Sequence, residues 1–245
     1  MFKHILYLNM KKILHKAAER GFADHGWLKA AHSFSFGNYY NPAKSHFGLL
    51  RVLNDDIVAP GMGFGKHGHD NMEIVTIPLK GALAHKDSLG SEGVIKYGEI
   101  QAMSAGSGIQ HSEFNASATD EVNLLQIWVF PKVRNIEPRY DQKSFNLSGI
   151  KNEFQLLVSP ERHPETMWIN QDAYFSLGNL DAGASIDYVL NKRTNGTYLF
   201  VIDGEVEVDG ERLGRRDATG VLETEKFSIL SHAQSQILLI EVPME

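Results

Sequence analysis

Two short segments of the sequence each place a possible metal ligand two residues after a histidine. The first holds His67 and His69, and the second holds His111 and Glu113. Residues two apart in a β-strand project from the same face, so each pair can present two ligands together. Three imidazoles and one carboxylate suit Fe, Ni, Co, Cu, Zn or Mn. Four protein ligands leave two positions of a six-coordinate shell open, which favours a catalytic metal site over a closed structural zinc.

Side chains near these pairs are candidates for the rest of the site. The apolar residues close to the pairs in sequence are predicted to line a substrate pocket, and they are Met62, Phe64, Met103 and Phe114. Glu73 has three interpretations: a carboxylate that orients a metal-bound histidine, an exposed strand residue, or a ligand in place of Glu113. His32 and His85 are interpreted as structural histidines.

The elements that must position these residues have the pattern of a β protein. Short apolar runs alternate with Gly, Asn, Asp and Pro, as in sandwiches and barrels. Strands are predicted over 47–53, 73–79, 122–130, 197–202, 205–208 and 236–242. Asn54-Asp55-Asp56 is predicted to form a turn that ends the first of these strands. Asp-Gly pairs at 203–204 and 209–210 predict turns or hairpins, and Lys16–Arg20 is the best helical candidate.

The length of 245 residues fits two small domains or one large one. Residues 131–150 are polar, contain two prolines and are predicted to connect two β domains. The prediction is an N-terminal metal-binding barrel over 1–140 and a C-terminal barrel without metal over 141–245. The second half offers only His163 and Glu165, which are separated by a proline that central strands exclude, and an isolated His232.

The composition excludes several classes of protein. The chain has no cysteine, which excludes disulfides, iron–sulfur clusters and thiol catalysis. Its formal net charge of -6 argues against nucleic-acid binding. Residues 1–9 are too short for the core of a signal peptide, and Met10 is a candidate for the true start. No apolar run reaches the length of a membrane span, so we expect a cytoplasmic protein, with a monomer as the default.

Several longer stretches carry a family resemblance. They are 32–40 (HSFSFGNYY), 51–56 (RVLNDD), 63–69 (GFGKHGH), 85–90 (HKDSLG), 103–113 (MSAGSGIQHSE) and 125–129 (LQIWV). Together they resemble the pirin family of the cupin superfamily, specifically the bacterial pirin-like proteins with quercetinase activity. The resemblance is dense over residues 10–140 and looser over 150–245. Ser104 departs from the general cupin pattern, in which many members have proline.

The resemblance implies an all-β bicupin, in which two antiparallel β-barrels of the jelly-roll type lie face to face with few short helices. It implies that His67, His69, His111 and Glu113 hold one divalent transition metal, with iron the usual metal of the family. Glu113 rather than Glu73 is then the carboxylate ligand. The implied activity is cleavage of flavonols such as quercetin by dioxygen, with ring opening and release of carbon monoxide. Glu113 would act as the catalytic base toward the flavonol 3-hydroxyl.

Two other functions compete with this hypothesis. The first is a metal-binding regulatory or redox-sensing protein that acts through a protein partner, with flavonol cleavage incidental. The second is a cupin isomerase or hydrolytic metalloenzyme that uses the same ligands. Sugar-phosphate chemistry would need a basic pocket near the metal, and the sequence offers only scattered Lys66 and Lys86 there.

Overall fold

A computed structural model describes residues 10–245, so the predicted extension before Met10 lies outside the described residues. Within them, the regular structure is almost entirely β. The strands are β1 Lys11–His15, β2 Gly21–Asp24, β3 Leu28–His32, β4 Leu50–Val58, β5 Gly63–His69, β6 Glu73–Lys80, β7 Ala82–Asp87, β8 Glu92–Lys96, β9 Glu99–Ser104, β10 Ile109–Asn115, β11 Val122–Val129, β12 Arg139–Ser144, β13 Glu153–Ser159, β14 Met167–Trp168, β15 Tyr174–Leu180, β16 Ser185–Val189, β17 Asn195–Asp203, β18 Glu205–Val208, β19 Glu211–Gly214, β20 Ala218–Leu222, β21 Lys226–Ser231 and β22 Ser235–Pro243.

The helical content of the described residues is three single turns of 3₁₀ helix. These are Ala17–Glu19, Pro42–Lys44 and Leu147–Gly149. The helix predicted over Lys16–Arg20 is therefore only one such turn. No described helix has the length and apolar character needed to cross a membrane.

The strands form four sheets in two similar units. One unit pairs a seven-stranded sheet (β12-β9-β6-β11-β4-β3-β2) with a four-stranded sheet (β5-β10-β7-β8). The other pairs β1-β20-β17-β22-β15-β13-β14 with β16-β21-β18-β19. This arrangement confirms the all-β, two-unit cupin fold. Each unit is a jelly-roll sandwich of two facing sheets, however, and not a closed hydrogen-bonded barrel.

The two seven-stranded sheets pack against each other through the largest apolar core of the molecule. Val75, Ile77 and Ile127 from the first sheet meet Phe175 and Ile240 from the second. The alternation of side chains along each strand sends every second residue of these sheets to this shared core. The intervening residues face the four-stranded sheet of their own unit. The order of layers is therefore four, seven, seven and four strands.

Strand pairing crosses the predicted boundary between residues 140 and 141. Strand β1 pairs with β20 of the second unit, so Lys11–His15 belong to the sheet of the C-terminal half. Strand β12 lies within the predicted connection and pairs with β9 of the first unit. The division at 140 and 141 stays a prediction, and these two strands tie the halves together.

The Asp-Gly pairs behave differently from one another. Asp209 and Gly210 both have positive φ, at 48° and 76°, and they close the hairpin between β18 and β19. This is the backbone conformation that a two-residue hairpin favours. Gly204 also has a positive φ, of 90°, but β17 and β18 lie in different sheets. There the pair forms a corner at which the chain passes between sheets.

The prediction that Asn54-Asp55-Asp56 forms a turn at the end of a strand is wrong, because β4 continues through these residues to Val58. Strands β3 and β11 pair with β4 on both sides of this segment. Asp55 accepts a hydrogen bond from Arg216 Nε at 2.7 Å, across the interface between the units. Tertiary pairing thus overrides the local preference of Asn and Asp for turns.

Candidate metal centre

Strands β5 and β10 bring the two predicted ligand pairs together. They are antiparallel neighbours, with His67 opposite His111 and His69 opposite Ile109. Opposite residues share a face of the sheet, so the three imidazoles converge between the two sheets of the first unit. One ring nitrogen from each of the three histidines lies within 4.8 Å of the others. Their ring centroids are 4.4 to 4.9 Å apart.

A β-bulge in β5 sets the orientation of the residues around this cluster. Phe64 lies opposite Glu113 and His67 lies opposite His111, so β5 spans three residues where β10 spans two. In a regular strand, Phe64 and His67 would face opposite sides because they are an odd number apart. The extra residue turns both toward the interior.

The nitrogen positions fit a metal ion. His69 Nε2 and His111 Nε2 are 2.9 Å apart. Two nitrogens bound at right angles, each about 2.1 Å from one ion, would be about 3.0 Å apart. His67 Nδ1 donates a hydrogen bond to the carbonyl oxygen of Gly65 at 2.8 Å. This hydrogen bond leaves His67 Nε2 with a free lone pair, which is the form that binds metal.

Glu113 lies deeper in the same unit and is 2% exposed. Its carboxylate falls within 4.8 Å of ligand nitrogens of His85 and His111. Glu113 Oε2 accepts a hydrogen bond from Gln126 Nε2 at 3.0 Å. Oε1 is buried and has no hydrogen-bond partner within 3.5 Å among residues 10–245, although Gln101 lies close enough to lower the pKa of Glu113. Burial raises the pKa of Glu113 to about 7.

The four predicted ligands therefore fall into two overlapping clusters. One holds His67, His69 and His111, and the other holds His85, His111 and Glu113. His111 belongs to both clusters and links them. Across the described chain, no cluster at this separation contains all four predicted ligands, so their joint role as one ligand set stays a prediction.

His85 belongs to a buried chain of hydrogen bonds that ends at His111. His85 Nε2 is 3.2 Å from Asp87 Oδ2, and both side chains are fully buried. His85 Nδ1 is 3.4 Å from His111 Nδ1, and the ring of Tyr140 stacks on His85 at 4.5 Å. Burial lowers the pKa of His85 despite the carboxylate beside it, so the ring is neutral at neutral pH.

The direction of this chain follows from its carboxylate end. Although burial opposes it, hydrogen bonds from His85, Ser91 and Leu89 hold the pKa of Asp87 below its ordinary value, so Asp87 is an acceptor. His85 Nε2 must then donate to Asp87, and its Nδ1 accepts from His111 Nδ1. This arrangement leaves His111 Nε2 unprotonated and directed at His69. His85 lies beside His111 only because β7 pairs with β10, and the spacing of residues in the sequence does not reveal that pairing.

A cavity of about 230 Å³ opens beside the cluster. It is lined by Leu28, Ala30, His32, Phe36, Asn54, Asp56, Phe64, His67, His69, Glu113, Gln126 and Trp128. A wider recess of about 610 Å³ adjoins it and has Leu28, Ala30, His32, Phe36 and Phe64 in common with it. The inner cavity thus continues toward the surface past the side chains of Phe36 and Phe64.

Of the four predicted pocket residues, Phe64 lies in the wall of this cavity. The structure places the other three elsewhere. Phe114 follows Glu113 on β10, so alternation directs it outward, and it is 41% exposed. Met62 precedes β5 and is 44% exposed. Met103 is fully buried in an apolar cluster behind Trp128.

Phe36 and Trp128 also lie in the wall of the cavity, and neither is one of the four predicted pocket residues. Their rings meet edge to face at 5.3 Å, and Trp128 contacts His69 in the same manner at 4.9 Å. Trp128 lies two residues after Gln126 on β11, so both face the interior. The two-residue spacing of Gln126 and Trp128 is a sequence signal that could place Trp128 in the wall. It becomes informative only once Gln126 is known to contact Glu113.

Glu73 faces away from this centre. It lies on the same side of β6 as Val75 and Ile77, which pack in the core between the two units, and it is fully buried. An exposed position for Glu73 is therefore wrong. Its Oε2 accepts hydrogen bonds from Ser104 Oγ at 2.7 Å and from Asn170 N at 3.0 Å, and burial raises its pKa to about 7. These contacts join the two halves; a role beside a metal histidine stays a prediction.

The interior of the second unit is filled by apolar side chains, among them Leu199, Val201, Ile229 and Leu239. His163 and Glu165 lie outside the strands, between β13 and β14. Within the described part of the second half, no group of His, Asp and Glu forms a cluster of metal-binding type.

Comparison with known proteins agrees with this architecture. Residues 14–129 match the family model described as Pirin, and residues 156–242 match that of the quercetinase C-terminal cupin domain. The chain is 38% identical over 231 residues to the quercetin 2,3-dioxygenase of Escherichia coli strain K12, covering 94% of this chain and 98% of that protein. It is 39% identical over 222 residues to a pirin-like protein of Caulobacter vibrioides, covering 90% and 95%.

The fold is also that of a solved relative. The crystal structure of the bacterial pirin YhhW from Escherichia coli in complex with nickel(II) matches with a TM-score of 0.90 and 37% identity. The match covers 95% of this chain and 99% of that chain. Sequence and structure both align over nearly the full length, and the chain therefore belongs to the pirin family of the cupin superfamily.

Proposed function

We propose that this protein is a metal-dependent dioxygenase that cleaves flavonols such as quercetin. The observation that carries the proposal is a cluster of three imidazoles beside an aromatic-lined cavity, with a buried carboxylate close to one of them. Relatives that are named quercetin 2,3-dioxygenase support the same activity.

His67, His69 and His111 would hold the metal through their Nε2 atoms, with Glu113 Oε1 as the fourth ligand. Iron is the metal that the family resemblance favours, and the nickel(II) complex of YhhW shows a relative with a different divalent metal. When bound, a divalent metal supplies Lewis-acid chemistry that lowers the pKa of a coordinated hydroxyl group.

The side chains of this protein would position the substrate and move its proton. The aromatic rings of Phe36, Phe64 and Trp128 form walls that suit a flat, apolar molecule. Glu113 would act as the general base that accepts the proton of the flavonol 3-hydroxyl. Gln126 donates a hydrogen bond to Glu113 Oε2 and so holds the carboxylate in place.

The proposed reaction balances without another reactant. A flavonol and one molecule of dioxygen give a depside and one molecule of carbon monoxide. The central ring opens, one of its carbons leaves as carbon monoxide, and both atoms of dioxygen are retained in the depside. The protein needs no external reductant for this reaction, because the flavonol itself supplies the electrons that reduce dioxygen.

The proposal is tested by measuring metal content and quercetin consumption on the same samples. We expect His67→Ala and His111→Ala to lose both bound metal and the oxygen-dependent decay of quercetin absorbance. His232→Ala, a histidine of the second unit that contacts Glu207, is the matched control and should retain both. Full turnover by a metal-free variant would refute the proposal. Bound metal without turnover of any flavonol would instead support a regulatory protein.

A further inference from the structure

Asp56 is a buried acid that the proposed chemistry does not use. It is 4% exposed, and its Oδ1 has no hydrogen-bond partner within residues 10–245. Its register neighbours on the flanking strands are Ala30 and Leu124, which are both apolar. Burial raises the pKa of Asp56 to about 8, and repulsion from Asp55 and Glu113 contributes.

The burial of Asp56 lowers the stability of the fold. A buried carboxyl group without a hydrogen-bond partner destabilises the folded state relative to an apolar residue of similar size. Its neighbour Asp55 is satisfied, because Arg216 and Asn123 both donate to it. Residues that break the rules of folding in this manner are found mainly at functional sites.

The surroundings of Asp56 indicate what it could bind. Asp56 and Glu113 line the same cavity, and each keeps a buried oxygen without a partner in the described chain. Trp128 Nε1 is a third buried polar atom of the lining without a partner in the described chain, whereas His32 and Asn54 are joined by a hydrogen bond of 2.9 Å. Asn54 lies opposite Gln126, the residue that holds Glu113. Asp56 lies two residues after Asn54 on β4, which is a distance of about 7 Å along the strand. One small aromatic molecule can therefore reach the carboxyl groups of both Asp56 and Glu113.

We propose that Asp56 binds a hydroxyl group of the aromatic substrate at the end of the cavity away from the histidine cluster. It would thereby select flavonols that carry a hydroxyl at that position. This inference rests on the proposed function for the class of substrate. Either protonation state of the carboxyl group can accept a hydrogen bond from a phenol.

The test is binding of quercetin, and of flavonols that each lack one of its hydroxyl groups, to the purified metal-loaded protein under nitrogen. Loss of one hydrogen bond to a carboxyl group predicts that Asp56→Ala weakens quercetin binding about 10- to 100-fold. Asp56→Asn retains an acceptor and should recover most of this loss. One flavonol of the panel should bind equally to the wild type and to Asp56→Ala, because it lacks the contacted hydroxyl. Asp70→Ala removes an exposed carboxylate outside the cavity and should bind like the wild type.

Thermal unfolding of the same variants separates this role from a structural one. We expect Asp56→Asn to unfold at the wild-type temperature or above it, because the substitution removes a buried acid. A lower unfolding temperature for Asp56→Asn, or equal quercetin affinity of Asp56→Ala and the wild type, would overturn the inference. If the wild type binds flavonols under nitrogen but does not cleave them in air, the proposed function fails while the role of Asp56 stands.

Discussion

The hydrogen-bond chain from Asp87 through His85 to His111 makes metal affinity depend on a residue that is not a predicted ligand. The informative substitution is Asp87→Asn, which preserves the shape of the side chain. Oδ1 of Asp87 accepts hydrogen bonds from the backbone N–H groups of Leu89 and Ser91, both at 2.9 Å. An asparagine keeps these bonds only if its oxygen takes the Oδ1 position, which directs its NH₂ group at His85.

This orientation reverses the chain of donors and acceptors. His85 would have to accept at Nε2 and carry its proton on Nδ1, where it would meet the Nδ1–H of His111 at 3.4 Å. The conflict is relieved if His111 moves its proton to Nε2, the atom predicted to bind metal. Substitution of such supporting residues costs about 10- to 100-fold in metal affinity, or about 1.4 to 2.7 kcal/mol. We expect a loss of this size for Asp87→Asn.

The assay is a competition titration in which metal-free protein and a chelating dye compete for zinc or nickel. Asp70→Asn is the matched control, because it removes the same charge beside His69 but lies outside the chain and is exposed. Solvent and salt screen an exposed charge, so Asp70→Asn should change the affinity by less than about threefold. Equal affinities for the two folded variants would refute the proposed direction of the chain.

Three further predictions concern stability. A side chain at Gly63 would overlap the backbone of Glu113 and Phe114, whereas open space surrounds Gly65. Gly63→Ala should therefore lower the free energy of unfolding by about 1–3 kcal/mol, and Gly65→Ala should lower it by much less. Urea titrations measure both effects. Asp55→Asn breaks the ion pair with Arg216, whose side chains are 12% and 15% exposed, and should cost about 3 kcal/mol by the same measurement. Burial lowers the pKa of His15 to about 4. Between about pH 6.5 and pH 4, His15 therefore binds a proton in the unfolded chain but stays neutral in the folded chain. The contribution of His15 to stability should fall by about 2–3 kcal/mol from pH 6.5 to 4, and urea titrations at several pH values should show a smaller fall for His15→Gln than for the wild type.

The class of fold and the two ligand pairs could be predicted because both depend on local pattern. Residues two apart share a face of a strand, so the spacing of His67 and His69 already predicts that they point the same way. Alternation also explains an error. Phe114 neighbours Glu113 on β10, so the same rule that directs the carboxylate inward directs Phe114 into solvent.

Other parts of the site could not be predicted because they depend on which strands become neighbours. Asn54-Asp55-Asp56 has the composition of a turn, yet β3 and β11 pair with it on both sides. His85 reaches His111 only because β7 lies beside β10. The bulge that turns Phe64 inward requires the register of β5 against β10. None of these neighbours is close in sequence, and pairing between distant strands is not encoded by any short segment.

The sequence by itself determined the chemistry that is available, because residue types and their spacing along one strand are local properties. It supplied three imidazoles in two short motifs, an all-β pattern and a chain without thiols. The tertiary structure decided how these groups are used. It sealed Glu113 and Asp56 in one cavity, set Asp87 and His85 behind His111, and turned Glu73 toward the other half of the molecule. The physical reason is that burial and hydrogen-bond partners are set by strand register and sheet packing, which join residues far apart in the chain.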